Sequence, residues 1–138
     1  MSGKAFLDTN ILVYAADRSK PTKRRTARDL VSRLAQERTP CISTQVAQEF
    51  FVTVTRKLGV APLVARDLIL ALKGFERVIV DFEDIQTAID GHILWKISFW
   101  DALIVAAAKK AQCAVLYTED LNDGQTIGGV RVINPFEK

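Results

Sequence analysis

Four short segments carry acids that could share one task. FLDTN holds Asp8, TQVAQEF holds Glu49, SFWDALIVAAA holds Asp101, and LYTEDLNDG holds Asp120 with Asp123 three residues on. Carboxylates are hard oxygen donors, and Mg2+ or Mn2+ is the cation that such donors suit. A divalent ion activates a water and relieves charge on a phosphate. Two ions about 4 Å apart can clamp the attacking and leaving oxygens of a phosphodiester. Gathered without a cation, the acids repel, and at least one keeps its proton to higher pH. Such a nest is expensive to assemble unless a cation binds it, and that cost is the argument for function.

Each acid also has a structural alternative. Asp8, beside Asn10, could cap a helix. Glu49 borders the stripe Val46, Ala47, Phe50 and Val54, where an exposed helical glutamate is ordinary. Asp101 stands three residues after Ser98, the spacing of a capping box or of an acid at a helix dipole. Asp120 within EDLNDG could be a turn residue. An acid in a first helical turn can also ligate metal, so the readings are compatible.

The elements that must position these acids alternate between apolar strands and helical patterns. Residues 4–8 read as a buried strand ending in an acid, residues 10–16 as a short helix, and residues 21–37 as a helix with a stripe at Ala27, Leu30, Val31 and Leu34. Residues 40–43 suit a second strand. Ser43 or Thr44 can cap a helix running to about residue 58, before Gly59. Pro62 suits a first helical position, and that helix reaches Lys73 before Gly74. A strand over 77–80, a helix over 82–94 weakened by Gly91, a helix capped by Ser98, and strands over 114–118 and 130–133 complete the chain. Strands separated by helices require crossovers, hence a mostly parallel sheet covered on both faces. In such sheets ligands bind beyond the carboxyl ends of the strands, where Asp8 and Asp120 fall.

Taken together, in this order and at these intervals, the four segments resemble the PIN-domain nucleases. They resemble most closely the VapC-like toxin ribonucleases of type II toxin–antitoxin pairs, over nearly the whole chain. The resemblance implies a three-layer α/β/α sandwich with a mostly parallel central sheet, one domain over residues 1–138, and Mg2+- or Mn2+-dependent endoribonuclease activity. Asp8, Glu49, Asp101 and Asp120 match the four acids of the family's site. Thr118, Thr9, Asn10 and Ser98 match polar positions that support them. The segment after Asp120, LNDG, departs from the family's pattern, which leaves Asp123 a share in the fourth place. A homodimer and a cognate antitoxin that fills or distorts the acidic site are the implied partners, beside an RNA substrate.

The remaining features bound this reading. A chain of 138 residues, 49% apolar, fits one domain with a core of its own. A net charge of +3 permits a nucleic-acid partner without arguing for one. Lys20, Lys23, Arg24, Arg25 and Arg28 form the densest basic cluster: a solvated helix face, a contact for an RNA backbone, or a dock for an acidic antitoxin. Trp95, Phe99 and Trp100 suit core or dimer packing better than base stacking. Asp81, Glu83 and Asp84 read as an acidic first helical turn. His92 has no acid or nucleophile partner and receives no catalytic role. Cys41 and Cys113 read as buried free thiols of a reducing compartment, and neither a signal sequence nor a bilayer-spanning run is evident, so the cytoplasm is expected and no membrane partner. Two rival functions stand. One is a non-catalytic PIN-like module that holds RNA or protein. The other is a magnesium phosphatase of the haloacid dehalogenase type, whose motif wants a second Asp where this chain has Asn10.

Overall fold

The computed structural model describes residues 3–137. The elements are β1 (Lys4–Leu7), α1 (Thr9–Ala16), α2 (Pro21–Glu37), β2 (Thr39–Ser43), α3 (Thr44–Arg56), α4 (Pro62–Ala71), a 3-10 turn (Leu72–Gly74), β3 (Glu76–Val78), α5 (Phe82–Trp95), α6 (Phe99–Lys110), β4 (Val115–Tyr117), β5 (Thr126–Ile127) and β6 (Val130–Ile133). The strands form one six-stranded sheet in the order β3-β2-β1-β4-β6-β5. All pairings are parallel except the β5–β6 hairpin at one edge. The mostly parallel α/β/α architecture expected from the strand–helix alternation is thus present.

The order of the strands explains where a site can form. From β1 the chain steps outward through β2 to β3, then returns to the other side of β1 as β4. Right-handed crossovers therefore put α1–α4 on one face and α5–α6 on the other. The direction of winding reverses between β1 and β4, and the connections leaving their carboxyl ends diverge there, opening a crevice.

The core forms on both faces of the central strands. Ala5, Phe6 and Leu7 of β1 are fully buried, as are Ile42 and Leu116 on its neighbours. A strand covered on both faces has no polar side to alternate with, which is why β1 reads as an uninterrupted apolar run. Residues 102–108 of α6 are likewise all buried, consistent with a helix apolar all round.

Several boundaries differ from the sequence reading. The third strand lies at Glu76–Val78 rather than 77–80, because Val80 is held by the Thr44 hydroxyl at 3.1 Å on the way into α5. The reciprocal capping box belongs to α5, between Asp81 and Asp84, not to α6. That box and an ion pair of Asp84 with Lys110 at 2.8 Å account for Asp81 and Asp84 after β3. Strand β5 escaped prediction; its two residues are too few to show a period, and only Gly128 and Gly129, both at positive φ, mark the turn. Helix α5 continues through Gly91 because the Trp95 ring lies over it; a Cβ there would come within 2.3 Å of the indole.

Candidate metal centre and nucleic-acid cleft

Asp8 follows β1 directly and caps α1, so the capping and site readings coincide. Its Oδ1 accepts the Thr9 amide at 2.7 Å, and its Oδ2 accepts the Thr118 hydroxyl at 2.8 Å. Thr118, immediately after β4, is fully buried. The first residue of α1 and the residue just after β4 therefore fix both oxygens of this acid. Asp101 enters from the first turn of α6, where the Ser98 hydroxyl accepts its amide at 3.0 Å. Asp120 follows β4 by three residues. Its carboxylate takes the Asn10 amide at 3.1 Å, and its own N–H donates to Thr118 at 3.1 Å. Each of the three acids offers an oxygen within 4.8 Å of the other two.

Glu49 stands beside this trio rather than in it. One of its oxygens accepts the Thr9 hydroxyl at 2.6 Å and the other the Gln45 amide at 3.2 Å. It lines the same cavity of about 790 Å3 as Asp8, Asp101 and Asp120. Asp123 is elsewhere, with Oδ1 accepting the Asn134 amide at 2.8 Å. The geometry thus brings Asp120 to the trio and leaves Asp123 to tie down the segment after β6.

Electrostatics mark the trio as a strained set of acids. Burial pushes Asp8 up to about 7, against the lowering effect of its Thr118 and Thr9 hydrogen bonds, and the charges of Asp120 and Glu49 add to the rise. Burial also raises Asp101 and Asp120, with Glu49 contributing to both. A divalent cation would replace the proton and relieve this cost. Three hard oxygen donors, partly open to a cleft, fit an ion that keeps several waters. The donor set therefore suits Mg2+ or Mn2+.

The basic cluster divides. Lys20 lies on the cavity rim. Lys23 instead pairs with Glu119 at 2.9 Å and reaches the Tyr14 hydroxyl at 3.2 Å. The Tyr14 hydroxyl donates to the other Glu119 oxygen at 2.5 Å. This network ties α2 and α1 to the segment carrying Asp120. Arg24 is partly buried, Arg25 is exposed on the helix surface, and Arg28 donates to the Ala15 carbonyl at 2.8 Å.

Sequence reasoning did not single out Gln45, Tyr14, Glu119 or Lys57. Gln45 could have been found, since it stands one helical turn before Glu49 on the same face. Tyr14 and Glu119 are 105 positions apart and carry no local signal of their meeting. His92, given no catalytic role, sets Nδ1 2.5 Å from the Ile97 carbonyl in the α5–α6 turn. Cys41 and Cys113 are buried and free, as expected.

Comparisons with known proteins agree with this geometry. Residues 5–122 match the family model of the PIN domain. A search of curated protein sequences finds no match. Among solved structures, a toxin–antitoxin complex from Klebsiella pneumoniae aligns with a TM-score of 0.72 at 23% identity, covering 97% of this chain and 99% of that one. VapBC2 from Rickettsia felis, bound to a promoter DNA fragment, aligns at 0.69 and 19% identity over 94% and 96%. The sarcin-ricin loop cleaving toxin VapC20 of Mycobacterium tuberculosis aligns at 0.68 and 17% over 84% and 89%. At these identities the likeness establishes the fold.

Proposed function

The chain belongs to the PIN-domain family, and from that premise we propose that it is a divalent-metal-dependent endoribonuclease, the VapC-like toxin of a toxin–antitoxin pair. The observation that carries the reading is the convergence of Asp8, Asp101 and Asp120, from three distant segments, to within 4.8 Å. The whole chain is read as a single PIN-like nuclease domain acting in the cytoplasm. The solved relatives are toxin–antitoxin assemblies, which supports a cognate antitoxin here.

Asp8, Asp101 and Asp120 would hold Mg2+ or Mn2+, which supplies an activated water and charge relief at a phosphate. Thr118 and the Thr9 amide keep the Asp8 oxygens oriented, and Asn10 does the same for Asp120. Glu49, held by Thr9 and Gln45, would stand at the edge of the trio to orient a water or add a ligand oxygen. Asn10 stands where a phospho-aspartate phosphatase needs its second acid, and its side chain is engaged in holding Asp120. A homodimer is supported by α5, whose exposed Phe82, Ile89 and Ile93 share one face.

The test is cleavage of a mixed RNA pool with Mg2+, with chelator, and with Asp101→Asn. Cleavage by the wild type alone, lost in chelator and reduced roughly 100-fold or more by the variant, is expected. Equal cleavage by Asp101→Asn would refute the site. RNA binding without any cleavage would favour the non-catalytic module.

A further inference from the structure

We infer that Trp100 is a stacking platform for a nucleobase of the bound RNA, next to the acidic trio; this deepens the nuclease reading and rests on it. The sequence favours packing for this tryptophan, yet the residue is 61% exposed. It lines the cavity that holds Asp8, Asp101 and Asp120, and it precedes Asp101 in α6. An indole this exposed, on the wall of an acidic cleft, gains nothing from water and offers no ligand atom to a hard cation. A base has a π-face for it.

The platform is braced. The Phe99 ring meets the Trp100 ring edge-on, with centroids 5.1 Å apart and an interplanar angle of 75°. The Trp100 carbonyl accepts the Gln45 amide at 3.4 Å, which ties it to the helix carrying Glu49. The same cavity is lined by Lys20 and Lys57, exposed cations that form no ion pair among the described residues. Stacking on the indole and phosphate contact at the two lysines would lay a single strand across the acids. A paired base presents no free face, so the subsite takes unpaired RNA.

The test uses full-length protein with Trp95→Phe as background, so that emission reports Trp100 alone. The probes are an oligouridylate of roughly ten nucleotides and a base-free ribose-phosphate chain of equal length. The oligouridylate should quench Trp100 emission and bind more tightly than the base-free chain. Trp100→Ala should weaken oligouridylate binding about 5- to 100-fold, and Trp100→Phe much less. Mn2+ affinity should be unchanged in both, which separates lost stacking from damage to Asp101. Unchanged emission on RNA binding, or a Trp100→Ala variant that binds the two probes as the wild type does, overturns the inference. RNA-pool cleavage judges the nuclease reading separately. Wild-type cleavage with no effect of Trp100→Ala on rate or cut sites sinks only the platform. Quenching without cleavage by the wild type sinks only the nuclease.

Discussion

At the residue scale, Asp8 concentrates the conflict between folding and function. Its carboxyl is buried and pushed up to about 7, so the native state holds a proton that the unfolded chain releases near the ordinary carboxylate range. The sign follows: without metal, this group favours folding at low pH. Its contribution fades as pH rises from the unfolded value to about 7, and is flat above that. Denaturant titrations in chelator should show Asp8→Asn gaining stability relative to wild type as pH rises from the ordinary carboxylate range to about 7, with no further gain above. A variant less stable than wild type by several kcal/mol at about pH 8 would instead mean that the charged carboxylate's bonds to Thr9 and Thr118 outweigh the cost of burying it. Because a bound cation displaces the same proton, Mn2+ affinity should climb with pH up to about 7 and then level, as calorimetry can measure.

At the scale of elements, α5 shows local preference yielding to packing. Glycine inside a helix is weakening, and alanine is the better former by about 1 kcal/mol. On that ground Gly91→Ala should stabilise. The Trp95 ring, however, lies over Gly91 and also meets Gly128 in the β5–β6 hairpin, so it has no room to retreat. Gly91→Ala is therefore expected to destabilise by about 1–3 kcal/mol in denaturant unfolding. A gain in stability would mean that the indole repacks freely. Helix positions were legible here because caps and prolines act within a few residues: Pro62 begins α4, and Ser43 and Ser98 cap α3 and α6. Strand ends and the β5 hairpin were less legible because partners far along the chain set them.

At the scale of the molecule, the unneutralised acids make the metal-free protein less stable than its fold permits. Mn2+ at about 100 times its Kd should add roughly 3 kcal/mol and raise the melting temperature by roughly 10 °C. Asp120→Asn should shrink that shift; an undiminished shift would place the ion elsewhere. The apolar face of α5 bears on assembly. If the proposed homodimer forms through this face, Ile93, 69% exposed, lies in its contact, and Ile93→Glu is expected to yield a folded monomer in sedimentation velocity. A persistent dimer would move the interface off this face.

The sequence by itself determined the strand–helix alternation, the parallel sheet that follows from it, and the acids worth watching. These rest on periodicity, capping chemistry and residue type, which act locally. Only the tertiary structure decided that Asp120 rather than Asp123 joins Asp8 and Asp101, that Glu49 stands aside on Thr9 and Gln45, and that Lys23 is spent on Glu119. Those outcomes depend on the reversal of winding between β1 and β4, which brings Asp8 and Thr118, 110 positions apart, into hydrogen-bond contact. No spacing along the chain encodes that distance.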